Sequence, residues 1–145
     1  MGSKAAVDSL LGGTGYLCVV PLVDPLLTIR SRFTRGHTDW DAQIHSWRML
    51  LHTAPHKPFY LPLDLLSRKG TWPRWDALEA LAKHMQFKAD PQVLARWAND
   101  WPEHRNEESR TKGIVPDLEP MAEALRGVKG LVAFLQVQGY DLGWM

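Results

Sequence analysis

The chain has almost no cysteine. Cys18 is the only one in 145 residues. This excludes an intramolecular disulfide and a cysteine-rich zinc site, and a reducing compartment fits. Long apolar runs are missing as well. The best stretch, Tyr16 to Ile29, is interrupted by Pro21, Asp24 and Pro25, short of the roughly 20 residues that a membrane-spanning helix needs. The start Met-Gly-Ser-Lys carries one positive charge with no apolar segment behind it, so no signal peptide is expected and the expected location is the cytoplasm. Neither sign of charge dominates. With 17 Lys/Arg against 16 Asp/Glu the net charge is +1, which argues against a generally basic, histone-like binder but leaves room for a local basic face. There is no internal repeat, no low-complexity segment, no phosphate-binding glycine loop, and no Ser/His/Asp, Cys/His or paired-carboxylate arrangement. No cofactor is therefore expected, and Cys18, within an apolar run, reads as an inert core thiol.

What is abundant is tryptophan. Seven are present, five of them between Trp47 and Trp101. With 45% hydrophobic and 23% charged residues, the composition is that of a folded domain with a real core. The expectation is one mainly α domain over 1–145: a compact bundle of about four to six helices with a helix-turn-helix-like hairpin. One short β element near the N-terminus is an option. Residues 1–15 read as a weakly ordered arm or a short helix, and residues 103–113, which lack any apolar side chain, as a polar surface loop.

Periodicity fills in the rest. Tyr16–Val23 is β-like, limited to an edge by Pro21. Arg30–His37 is basic and polar and reads as a loop. Thr38 or Asp39 can cap a helix reaching about Thr53, with Trp40, Ile44, Trp47 and Leu51 on one stripe. Pro55, Pro58 and Pro62 make His56–Leu61 an extended connector. Leu63–Ser67 has room for one helical turn before Gly70. Thr71 and Pro73 then open a helix that carries Trp75, Leu78, Leu81 and Met85 on one face. Asp90-Pro91 opens the next, which buries Val93 or Leu94, together with Trp97 and Trp101. Finally, Leu118, Met121, Leu125, Val128, Val132 and Leu135 predict one long helix, or two broken at Gly127 or Gly130, with Gly139 as the C-terminal cap.

The sharpest local signal is Trp75–Asn99, WDALEALAKHMQFKADPQVLARWAN. Two amphipathic segments joined by a turn have the layout of a helix-turn-helix. Leu81-Ala82 in the first and Arg96-Trp97 in the second resemble the pattern of phage-repressor-like DNA-binding domains. The resemblance implies that Arg96-Trp97 packs on the core and that the second helix enters a DNA groove. Gln92, Ala95, Arg96 and Asn99 would then face outward, Gln and Asn suiting adenine edges and Arg suiting guanine or phosphate. Two departures stand out: the turn Gln86–Asp90 is about two residues longer than that pattern, and Gln86 stands near the place of the usual glycine.

Charge is distributed unevenly. From Arg30 to Lys88 there are ten Lys/Arg against five Asp/Glu, and five of the six histidines; from Ala89 onward there are six against nine. The basic part is also aromatic: Phe33, Phe59, Tyr60, Trp72 and Trp75 lie near Arg32, Lys57, Arg68, Lys69 and Arg74. Cations suit phosphates and flat rings suit bases. The candidate nucleic-acid-binding set is Arg30, Arg32, Arg35, Lys57, Arg68, Lys69, Trp72, Arg74, Lys88, Gln92, Arg96 and Asn99. Trp and Arg are equally the preferred anchors of protein interfaces.

Three smaller patterns complete the reading. His37, Asp39, Asp41 and His45 could ring a divalent metal, although Asp39 or Asp41 also serves as a helix cap. Arg32-Phe-Thr-Arg-Gly-His37 has the Arg-x4-His spacing and resembles the signature of HEPN-type ribonucleases, in which the His would assist proton transfer. Gly127-Val-Lys-Gly130 matches the Gly-x-x-Gly of KH-type RNA-binding loops, with close helix packing as its structural account. The sequence points first to a small helical nucleic-acid-associated accessory or regulatory protein. The alternative is a protein-interaction module, whether inhibitor, immunity or adaptor protein, with exposed tryptophan anchors. A metal-dependent or ribonuclease-like enzyme comes third.

Overall fold

The computed structural model describes residues 4–12, 17–68, 71–100 and 117–145. The chain is mainly helical, with eight α-helices and one two-stranded sheet among those residues. In chain order they are α1 (Lys4–Leu11), β1 (Val19–Leu22), α2 (Pro25–Thr34), α3 (Asp41–Leu51), β2 (Phe59–Pro62), α4 (Leu63–Arg68), α5 (Thr71–His84), α6 (Pro91–Asp100), α7 (Glu119–Arg126) and α8 (Leu131–Val137), with a 3₁₀ turn at Ala54–His56. Packing divides them into two units.

The first unit contains α1, α2, α3, α7 and α8. In it α2 packs on α7, α3 on α8, and α7 on α8. Ile29, Ile44, Trp47, Met121, Leu125, Val128, Leu131 and Leu135 are buried. The C-terminal stripe is two helices, broken across Gly127–Gly130, where Gly130 takes φ +82°. Gly139 ends α8 as the sequence suggests. Its φ is +95°, its N–H donates to the Gln136 carbonyl, and the Tyr140 N–H donates to that of Leu135. This is a Schellman ending, and the buried Tyr140 and Leu135 supply its apolar pair.

Helix α2 corrects the sequence reading of Arg30–His37 as a loop: Arg30–Thr34 is helical, and Arg35–His37 form the turn that follows it. Asp24 caps it, accepting from the Leu26 N–H at 3.0 Å, with Pro25 at the first helical position. The signal was local: an Asp-Pro pair is a helix start whatever the polarity that follows. Asp24 also accepts from the Trp144 indole N–H at 3.0 Å. Helix α1 is the short-helix option for the N-terminal arm. Its Asp8 carboxylate lies 2.9 Å from His56 Nε2.

The second unit contains β1, β2, α4, α5 and α6. β1 and β2 pair in parallel, with Val19 opposite Phe59 and Leu22 opposite Pro62. Part of the expected extended connector is thus a strand. Each strand carries a proline, Pro21 or Pro62, which suits a narrow sheet with little ladder to lose. Helices α5 and α6 pack around Leu78, Leu94 and Ala98, with Trp75 and Ala89 against them. His84, in the last turn of α5, donates from Nε2 to the Cys18 carbonyl at 3.2 Å and lies 5.5 Å from the Phe59 ring.

Candidate interaction surface

The hairpin α5–α6 is built from two local signals. At the end of α5, Gln86 N–H donates to the Lys83 carbonyl and Phe87 N–H to that of Ala82, a second Schellman ending. Its left-handed position is held by Gln86 at φ +60°, where glycine is the unstrained choice. The place that lacks the usual glycine is therefore the place where the backbone still turns left-handed. At the start of α6, Asp90 Oδ1 accepts from the Gln92 N–H at 2.8 Å, ahead of Pro91.

The phase of α6 differs from what the resemblance implied. Leu94 and Ala98 form its buried seam, whereas Trp97 is 48% exposed and Val93 36%. Trp97 does not pack on the core. Ala98, fully buried, takes the place that a large ring was expected to fill, because a methyl group lets α6 approach closely. With Met85 at 39% and Phe87 at 47%, the hairpin presents four large apolar side chains to solvent within thirteen residues of chain. Met85 was expected on the core face of α5; it lies past the last turn, after Leu81 has completed the packed stripe.

The candidate binding residues fall into separate groups. Arg30, Arg32, Arg35 and Lys57 belong to the first unit. Arg32, Arg35 and Lys57 are exposed, and Arg30 is half-buried with an Nε that has no hydrogen-bond partner. In the second unit Lys88, Gln92, Arg96 and Asn99 are exposed, and the last three share the side of α6 opposite its buried seam. Lys69 and the side chains of Arg68 and Trp72 lie outside the described residues, as does residue range 103–113.

Arg74 requires correction as a surface residue. It is 6% exposed. Its Nε donates to the Leu66 carbonyl at 2.7 Å, its Nη1 to Ala98 at 3.3 Å and its Nη2 to Ser67 at 3.4 Å. These carbonyls belong to the last turns of α4 and α6, where orphan acceptors and the negative ends of two helix dipoles meet. Its planar fork of donors suits that task. At 6% exposed and tied to three carbonyls, the guanidinium has little surface to offer a phosphate. The signal in the sequence was ambiguous, since SRKGTWPRW is equally a basic loop and a loop that closes on its own carbonyls.

Elsewhere the chemistry stays dispersed. His37, Asp39, Asp41 and His45 are all exposed. No group of three His, Cys, Asp or Glu side chains gathers closely enough to hold a metal ion among the described residues. The Arg32–His37 spacing spans the C-terminal turn of α2, where the His37 N–H donates to the Arg32 carbonyl. Gly127–Gly130 links α7 to α8. No helix among the described residues is long and apolar enough to cross a membrane. Comparison of the chain with protein-family models, with curated proteins and with solved structures gives no match.

Proposed function

We propose that this chain is a protein-interaction module of the inhibitor or adaptor kind, and that its contact surface is the α5–α6 hairpin. The observation that carries this reading is the exposure of Met85, Phe87, Val93 and Trp97 on a well-capped hairpin. Among the tryptophan side chains described, Trp97 is the one that stands exposed; Trp47 is buried, and Trp40, Trp75 and Trp144 are half-buried. Exposed apolar surface that gathers in one place marks interaction sites, and these four side chains lie within one helix-turn-helix segment. Trp, Phe, Met and Arg are the residue types enriched there.

Nucleic-acid association is the second reading. Gln92, Arg96 and Asn99 on the outward side of α6, with Lys88 nearby in sequence, support it. Against it stands the charge of α6 itself. Arg96 is matched by the exposed Asp100 on the same helix, so the helix brings no net charge to a phosphate-lined groove. The test compares two variants of the whole chain on a heparin column and in partner binding. Trp97→Ala is expected to abolish a protein complex that survives moderate salt, with heparin retention unchanged. If Lys88→Ala/Arg96→Ala instead removes strong, salt-sensitive retention, the nucleic-acid reading replaces the first.

A further inference from the structure

Both strands of the small sheet run through apolar sequence without charge: Tyr16–Val23 reads YLCVVPLV and Pro58–Leu63 reads PFYLPL. Short uncharged windows rich in strand-forming residues tend to add strand to strand, and an open sheet edge is the template for it. Lysine, a common deterrent on edge strands, is absent from both windows, whereas proline is present in both. The pairing register decides what those prolines do. Phe59 N–H donates to the Cys18 carbonyl at 2.9 Å, and Val19 is the residue opposite Phe59. In a parallel ladder a residue that reaches across does so with both its N–H and its C=O, and the residue opposite points both away.

Alternation along each strand then places every backbone group. Val20 and Leu22 face β2, and Phe59 and Leu61 face β1, while Val19, Pro21, Tyr60 and Pro62 face the outer edges. Pro58, one residue ahead of β2, shares the outward phase. None of these three prolines stands where the ladder needs an N–H, and each stands where a third strand would need one. Over Val19–Leu22 the outer edge of β1 keeps one N–H, that of Val19; over Phe59–Pro62 the outer edge of β2 keeps that of Tyr60. Among the described residues the sheet has these two strands. We infer that Pro21 and Pro62 close the two edges against a further strand, whether from a second copy or from a partner. Recognition by strand addition, a common way of taking a peptide, is thereby shut off in this chain, whatever the role of the α5–α6 hairpin.

Sedimentation velocity of the whole chain over a range of concentrations tests this, comparing Pro21→Thr and Pro21→Thr/Pro62→Thr with the unaltered chain. Pro55→Thr, at an exposed proline of the 3₁₀ turn, controls for the loss of any proline. Near-ultraviolet circular dichroism checks that each variant keeps its fold. The expected outcome is a sedimentation coefficient that rises with concentration for Pro21→Thr and more steeply for the double variant. Neither the unaltered chain nor Pro55→Thr should show that rise, and amide exchange over residues 19–22 should slow in the associated species. Should Pro21→Thr lose the fold, Pro21→Ala restores the same donor with the smallest side chain; loss of the fold in both would contradict the outward placement of residue 21, which uses no ladder bond. Folded variants that sediment like the unaltered chain at every concentration would overturn the inference. Association with unchanged exchange over residues 19–22 would overturn it too, because the contact would then lie elsewhere. So would association of the unaltered chain through those same residues.

Discussion

Replacing Arg74 by Met keeps the apolar stem and deletes every donor. Three carbonyls, those of Leu66, Ser67 and Ala98, then lose their partner in a place that water reaches poorly, since the residue is 6% exposed. A hydrogen bond from a charged group contributes about 1.5–3 kcal/mol net. Only the 2.7 Å bond to Leu66 has a short, charge-assisted length; those at 3.3 and 3.4 Å are weaker. The expected total loss is therefore about 3 kcal/mol rather than three times the single-bond figure. Arg74→Lys should recover about a third of it, because one ammonium cannot span carbonyls on two helices. Urea unfolding followed by circular dichroism measures the loss as a fall in midpoint at unchanged slope. A cost under about 0.5 kcal/mol, the level of an ordinary surface substitution, would refute the structural role of Arg74. It would return that guanidinium to the list of groups available for binding.

Four further outcomes are expected. Gln86→Gly should stabilise the chain by about 0.5 kcal/mol. It removes a left-handed penalty of about 1–2 kcal/mol and adds about 0.5–1 kcal/mol of unfolded-chain entropy; a lower denaturation midpoint would contradict the left-handed turn. Leu94→Ala should cost about 2–5 kcal/mol as a cavity in the hairpin core. Trp97→Ala should cost under about 1 kcal/mol by the same unfolding assay, and equal losses would mean that the phase of α6 is wrong. Gly139→Ala, forced to φ +95°, should lower stability by about 1–2 kcal/mol, read as a drop in melting temperature.

The sequence disclosed the parts of this fold that rest on local chemistry. Asp90-Pro91 begins α6, Gly139 ends α8, and the C-terminal stripe breaks in the Gly127–Gly130 segment offered as its alternative. Each depends on a cap or a backbone angle that one or two residues dictate. The phase of α6 was not legible in that way. Val93–Trp97 and Leu94–Ala98 are both apolar pairs four residues apart, and size favoured the tryptophan. Close helix approach favoured the alanine, and only tertiary packing decides between them. Arg74 escaped for a related reason: a cation looks the same in sequence whether water or three carbonyls surround it. Helix α2 was hidden by its polarity, although Asp24-Pro25 announced it. Of the exposed apolar side chains of the hairpin, Met85 and Trp97 were read as core, Val93 as an alternative to Leu94, and Phe87 only as part of the turn.

The parallel pairing of β1 with β2 has a consequence for the order of events in folding. Parallel strands need a crossover of about a dozen residues or more. Here the crossover is Val23–Pro58, long enough to hold α2 and α3. Closing so long a loop costs entropy before any ladder bond repays it. The α5–α6 hairpin closes over a short turn and needs no such search. During synthesis β1 emerges early and waits for β2, whereas α5 and α6 can meet as soon as both are out. The hairpin is thus expected to be the early-forming part of its unit and the sheet the late one, so that Leu78, Leu94 and Ala98 are packed before β1 and β2 have joined.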